Sequence, residues 1–268
     1  MRDEDQLEPV TQFARGNDGA GIAWRAVGTG EPLLLVSGQA VDSTSWEAIV
    51  PALSERYRVI TFDHRGTGRS DAGADDSYST RSFARDALAV LDDAEARRAH
   101  VYGHSMGGRV AQWLAIDYAA RVASLVLGAT TAGDARGVSR SARVTADLAS
   151  GDPARLARLF FQSGERRPDA DAFFNPSATR HAKRLHFAAS RGHDAWDHLA
   201  GITVPTLVIH GSEDEMTPPG NAEKMAALIP HAELELRGGA RHGYYLDDPG
   251  STDAVIAFLQ RHPIVNPH

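Results

Sequence analysis

The chain has 268 residues, of which 42% are hydrophobic and 24% charged, a composition that fits one ordinary globular domain with room for an insertion. Its formal charge of −7 argues against a nucleic-acid partner, and the absence of cysteine excludes disulfides and thiolate chemistry. The segment Met1 to Gln6 is acidic and leads into no apolar run, so no secretory signal is expected, and apolar runs such as Pro32 to Val36 are too short to span a bilayer. The expectation is a cytoplasmic protein with no membrane partner.

Residues 1–9 read as a disordered acidic lead-in. Val10 to Arg15 and Gly21 to Val27 pair as a hairpin around Gly16-Asn17-Asp18-Gly19. After a turn at Gly28 to Pro32, Leu33 to Val36 is wholly apolar, as a strand buried on both faces must be. Ser37-Gly38-Gln39-Ala40 follows as a loop. A helix is expected from Ser45, carrying Trp46, Ile49, Val50 and Leu53 inward, and then a strand over Tyr57 to Phe62. Asp63 to Ser70 is a glycine-rich loop without the third glycine of a dinucleotide turn, and reads as a tight turn pinned by Asp63 and Arg65. Thr80 to Ala94 is an amphipathic helix with Phe83, Ala87, Val90 and Leu91 inward.

The next stretch organises the chain. A strand ending at Tyr102 runs into Gly103-His104-Ser105-Met106-Gly107, and a helix over Arg109 to Tyr118 follows. Strand, Gly-x-Ser-x-Gly and helix in succession form a nucleophile elbow, in which a sharp turn lifts the serine hydroxyl over a helix N-terminus. The N–H of Met106 can there face a developing oxyanion. Val122 to Leu127 is another apolar strand. From Gly133 to Ile202 the pattern is helical only, a helical cap of the kind that covers a site. Its segment 134–197 holds ten arginines and one lysine against eight acids, which suits an anionic substrate but suits solvated helix faces better. Strands at Thr206 to His210 and Ala232 to Leu236 and helices at Asn221 to Leu228 and Asp253 to Gln260 complete the alternation before a tail at 263–268. The order gives an α/β fold with a mostly parallel sheet and helices on both faces, divided as core 1–132, cap 133–202 and core 203–268.

A serine hydroxyl needs a base to take its proton and a third group to orient that base. Two loops at later strand ends can supply them. In one, Asp214 is the candidate acid, with Glu213, Glu215 and the more distant Asp134 as rivals that spacing alone does not eliminate. In the other, Gly238 to Tyr244, His242 stands between glycines at the end of the last strand. Ser105, Asp214 and His242 fall in the chain order of a nucleophile-elbow hydrolase.

These stretches, with Ser37-Gly38-Gln39 and Asp63-His64-Arg65-Gly66-Thr67-Gly68-Arg69-Ser70, resemble the α/β-hydrolase superfamily over nearly the whole chain, and within it the enol-lactonase, esterase and haloperoxidase-like group with a small helical cap. The resemblance implies an eight-stranded sheet. It selects Asp214, three residues after Gly211, as the acid, His242 as the base, and the backbones of Gln39 and Met106 as the oxyanion hole. One departure is that Ser37 stands where this family usually carries histidine before the glycine of the oxyanion loop. The implied activity is serine-dependent cleavage of a carboxylic ester or lactone of a small to medium, largely apolar substrate, through an acyl-enzyme and without cofactor or metal. Thioester or C–C bond hydrolysis by the same triad, or a non-hydrolytic ligand-binding or cyclase member of the fold, are the alternatives. Gly38, Phe160, Phe161 and Trp196 are the expected substrate contacts, although aromatic residues at helical spacing equally build a core.

Overall fold

The structure is a computed structural model that describes residues 10–265; the acidic lead-in expected over 1–9 and the last three residues of the tail lie outside the described residues. Eight strands form one sheet: β1 (Gln12–Arg15), β2 (Gly21–Val27), β3 (Glu31–Val36), β4 (Tyr57–Phe62), β5 (Ala99–His104), β6 (Val122–Gly128), β7 (Thr206–Gly211) and β8 (Ala232–Arg237), in the order β1-β2-β4-β3-β5-β6-β7-β8. β1 and β2 are antiparallel to each other, β2 is antiparallel to β4, and every pair from β4 onward is parallel. Central strands β5, β6 and β7 are buried at every residue, as parallel strands covered on both faces must be.

The helices are α1 (Val50–Ser54), α2 (Thr80–Asp93), α3 (Met106–Asp117), α4 (Ala142–Ser150), α5 (Pro153–Phe160), α6 (Asp171–Phe174), α7 (Arg180–Arg191), α8 (Gly220–Leu228), α9 (Tyr244–Asp247) and α10 (Pro249–Arg261). Two large apolar clusters cover the sheet. One gathers Phe83, Val90, Val110, Leu114 and Met225 from α2, α3 and α8; the other gathers Trp46, Tyr102, Phe161, Tyr244, Phe258 and Leu259.

Two helices depart from expectation. The helix expected from Ser45 is a single 3₁₀ turn over Ser43–Trp46, capped by Asp42, followed by the five-residue α1. Pro51 has no N–H to continue a helix begun at Ser45 and instead opens a new one. α3 starts three residues before the expected Arg109, and Met106 to Ala115 are all buried. The glycines at 107 and 108 are poor helix formers in isolation, but the sheet requires them there. A Cβ at Gly107 would stand 2.6 Å from the Ser37 carbonyl oxygen and closer still to that of Val36.

Between β6 and β7 the chain adds no strand to the sheet. α4 to α7 and a 3₁₀ segment at Trp196–Gly201 fill the interval, with one isolated bridge between Gly133 and Asp194. Among the described residues no helix is long and apolar enough to cross a membrane.

Candidate active site

β5 delivers Ser105 to the C-terminal edge of the sheet. Its backbone sits at φ 57°, ψ −120°, a conformation that L-residues rarely adopt. The surroundings over-determine it. The Ser105 N–H donates to the Gly128 carbonyl at 2.9 Å, and the Ser105 carbonyl accepts from the Gly108 N–H at 3.0 Å and the Thr130 hydroxyl at 2.7 Å. Gly103 must lack a side chain because a Cβ there would lie 2.7 Å from the Gly108 nitrogen and nearer the Gly107 carbonyl.

β7 and β8 deliver the partners to the same edge. The Ser105 hydroxyl oxygen lies 3.0 Å from His242 Nε2, and His242 Nδ1 lies 2.8 Å from Asp214 Oδ2. Nδ1 therefore carries the proton and donates to the carboxylate, which leaves the Nε2 lone pair facing the hydroxyl. The three residues, far apart in sequence, form one continuous hydrogen-bonded chain, and the serine is the member left partly open.

The structure separates the four candidate acids. Asp214 is buried, and its Oδ1 accepts the Met216 and Thr217 N–H groups at 2.8 and 2.9 Å. Burial pushes its pKa up, but the electrostatic attraction and hydrogen bonds from His242 and His210 outweigh that and hold the carboxyl well below the usual carboxylate range. Glu213 is exposed and lies 3.7 Å from Arg241, Glu215 pairs with Arg143, and Asp134 accepts from Arg109 at 2.8 Å. None of these three meets His242.

Gln39 and Met106 are the oxyanion donors that the family resemblance implies. Met106 is the first residue of α3, and Gly38 runs beside the serine, close enough that a Cβ on it would be 3.5 Å from Ser105 Cβ. The N–H groups of Gln39 and Met106 take no part in the backbone hydrogen bonds that close the neighbouring turns. Two buried histidines hold the loop. His64 Nε2 donates to the Ser37 carbonyl at 3.1 Å, and the Ala40 N–H donates to His186 Nδ1 at 3.3 Å. Burial pushes the His64 pKa down to about 3 and lowers that of His186. Asp63 and Arg65 pin the glycine-rich loop as expected: Asp63 accepts from the Ser43 and Arg69 N–H groups at 2.9 Å each, and Arg65 forms a buried fork onto Asp86 at 2.7 and 2.8 Å with a further bond to Asp18.

The aromatic candidates divide. Phe160, at the end of α5, sets its ring edge-to-face on His242 with centroids 5.4 Å apart and packs on Phe173 at 4.9 Å; Phe173 in turn meets His104. Phe161 is fully buried one step farther out, against Phe174 and Gly243, and acts as core. Trp196 is placed away from the triad: its indole donates to the Gly133 carbonyl at 3.0 Å, and its ring joins the cluster under α3 and α8. Its apolar bulk fitted either role, and packing took it.

Sequence reasoning passed over three residues. His104 donates to the His242 carbonyl at 2.9 Å, so it sets the backbone of the base. His210 lies 3.2 Å from Asp214 Oδ2 and donates to the Thr217 carbonyl at 2.6 Å. His186, the third, carried no local signal, since the Ala40 it meets is 146 positions away. Among the described residues no group of three or more His, Asp or Glu could hold a metal ion.

Comparison with known proteins then gives the lineage. A profile described as the alpha/beta hydrolase fold matches residues 31–195 and 154–249, more than half of the chain. The chain belongs to the α/β-hydrolase family. Curated relatives of this hydrolase include a protein named carbamate hydrolase RutD from Variovorax paradoxus, 34% identical over 87% of this chain and 92% of its own, and the non-heme haloperoxidase of Rhodococcus erythropolis, 33% identical over 92% and 99%. Among solved structures, the esterase of Exiguobacterium antarcticum superposes with a TM-score of 0.83 at 26% identity, over 94% of this chain and all of that one. The esterase and haloperoxidase-like resemblance read from the motifs is therefore present in the relatives.

Proposed function

We propose that this α/β-hydrolase is a serine hydrolase that cleaves a carboxylic ester or lactone of a small to medium, largely apolar substrate. One observation carries the reading: the unbroken contact from Ser105 through His242 to the buried Asp214. Asp214 holds the imidazole in the tautomer whose Nε2 accepts the serine proton. Ser105 attacks the carbonyl carbon, and the carbonyl oxygen gathers negative charge between the N–H groups of Met106 and Gln39. The protonated His242 passes its proton to the leaving alkoxide, which departs and leaves an acyl-enzyme. The same imidazole then takes a proton from water, and the resulting hydroxide releases the carboxylic acid and frees Ser105.

Phe160 and Phe173 make the triad's surroundings apolar on the side of the helical segment 133–202, which we read as a cap contributing the acyl or ring pocket. The test is hydrolysis of a panel of p-nitrophenyl esters, lactones, thioesters and simple carbamates, with Ser105→Ala as control. Turnover of esters or lactones, lost by about 10³-fold or more in Ser105→Ala, supports the reading. Turnover confined to carbamates or thioesters moves the substrate class while keeping the mechanism. Undiminished turnover in Ser105→Ala refutes the mechanism.

A further inference from the structure

Ala40 in the oxyanion loop holds a left-handed backbone, φ 60°, without being glycine, and the Ser37 hydroxyl reaches only the Asp42 carbonyl and the Ser45 hydroxyl, each at 3.3 Å. The peptide that carries the Gln39 N–H lies between two others. The preceding peptide, 37–38, is fixed at its carbonyl by His64, and the following peptide, 39–40, is fixed at its N–H by His186. His64 comes from the loop after β4. His186 comes from α7, in the helical segment between β6 and β7.

His186 is fully committed in one tautomer. Nδ1 accepts from Ala40, so Nε2 carries the proton, and it donates to the Arg65 carbonyl at 2.9 Å. Phe83, Tyr78 and His64 pack around the ring. It therefore has a single orientation, set by the same Arg65 turn that Asp86 and Asp18 anchor.

We propose that His186 is a positioning residue for the oxyanion hole: by accepting the Ala40 N–H it fixes the peptide next to the one that presents the Gln39 N–H, and it ties that donor's aim to helix α7. The inference rests on the hydrolase reading above. A second link of the same kind runs from α5, where the Leu159 and Phe160 carbonyls accept the His242 and Gly243 N–H groups at 3.4 and 2.9 Å. The helical segment thus grips the donor loop at one end and the base loop at the other.

The test uses His186→Leu, His186→Asn and His186→Gln in the full chain. The asparagine amide oxygen falls where Nδ1 was and keeps an acceptor for Ala40; the glutamine amide reaches the Nε2 position and keeps only the Arg65 bond. Each variant is measured for kcat and KM on p-nitrophenyl acetate and for affinity toward an alkylboronic acid, whose serine adduct places an oxygen in the oxyanion hole. Since losing a whole oxyanion donor costs about 10²–10³ in kcat, loosening one should cost about 10- to 100-fold in His186→Leu, with KM within about twofold and boronate affinity falling in step with kcat. His186→Asn should recover most of that loss and His186→Gln little of it. If His186→Leu does not fold, the asparagine–glutamine contrast decides. Equal behaviour of those two variants, or a folded His186→Leu with unchanged kcat and boronate affinity, overturns the proposal. Should Ser105→Ala retain full turnover, the hydrolase reading falls and takes this proposal with it; an inactive Ser105→Ala beside an unaffected His186→Leu sinks the proposal alone.

Discussion

Replacing Asp214 by asparagine is the perturbation whose result the geometry constrains most tightly. The side chain keeps its size, so packing is preserved, but one oxygen becomes an NH₂ group. Which one is decided by the partners. Oδ1 accepts two backbone N–H groups, from Met216 and Thr217, whereas Oδ2 faces the imidazole of His242. An amide nitrogen at the first position would set donors against two donors. The amide therefore turns its oxygen to the backbone and its nitrogen to His242. His242 Nδ1 must then become an acceptor, its proton moves to Nε2, and the ring can no longer take the proton of Ser105. Loss of the correct tautomer in a triad of this kind costs about 10⁴ in kcat, which corresponds to roughly 5 kcal/mol of barrier. The assay is steady-state hydrolysis of p-nitrophenyl acetate, with circular dichroism to show that the fold persists. A folded Asp214→Asn enzyme within tenfold of the parent would refute the assignment of the acid and the tautomer argument with it.

The elbow glycines make a stability prediction: Gly107→Ala should cost about 3 kcal/mol or more, or prevent folding, because the clash is with β3 backbone that has nowhere to move, and a denaturant midpoint close to that of the parent would contradict this. Asp86→Ala should leave the Arg65 guanidinium, which is 2% exposed, with Asp18 as its remaining carboxylate partner, at a cost of about 2 kcal/mol, or roughly 4–8 °C in Tm, read by thermal melting. Stability should also decline in mild acid. His64 and His104 are buried and neutral, with pKa pushed down to about 3 by burial, against 6.5 in the unfolded chain. Below pH 6.5 the unfolded state binds protons that the folded state refuses, so stability is fully present above that value and is lost as pH falls toward 3, by about 1.4 kcal/mol per pH unit for each histidine. Urea midpoints measured at pH 7, 6 and 5 should fall in that order; a flat series would contradict the buried neutral state. Phe160→Ala should raise KM for an apolar ester more than it lowers kcat, and an effect on kcat alone would remove Phe160 from the pocket.

Much of this architecture is written locally. The central strands are short buried runs, mostly apolar in β3, β6 and β7 and carrying His100 and His104 in β5, and the chain punctuates them with glycines whose steric reasons are the close contacts at 103 and 107. The three candidate residues could be picked out because each sits just past a strand in a loop of its own, Ser105 after β5, Asp214 after β7 and His242 after β8. What escaped were the contacts that long separation creates. His186 looks like one more residue on an amphipathic helix until α7 folds over Ala40. His210 ends a buried strand, where apolar neighbours hide a polar role beside Asp214. Trp196 failed in the opposite sense: its bulk suggested a pocket wall, but an indole N–H must find an acceptor when buried, and it found the Gly133 carbonyl. α3 begins at Met106, three residues before Arg109, because close approach to β3 demands glycine where helix propensity counts it as a break.

The central claim is that Ser105 is a nucleophile activated by His242. Its most direct test is covalent labelling with a fluorophosphonate followed by intact mass and peptide mapping. One adduct per chain, on the peptide that contains Ser105, absent in Ser105→Ala and formed at least about 10²-fold more slowly in His242→Ala, is the predicted result. Folded protein that takes up no label, or takes it up at a different residue, would contradict the account.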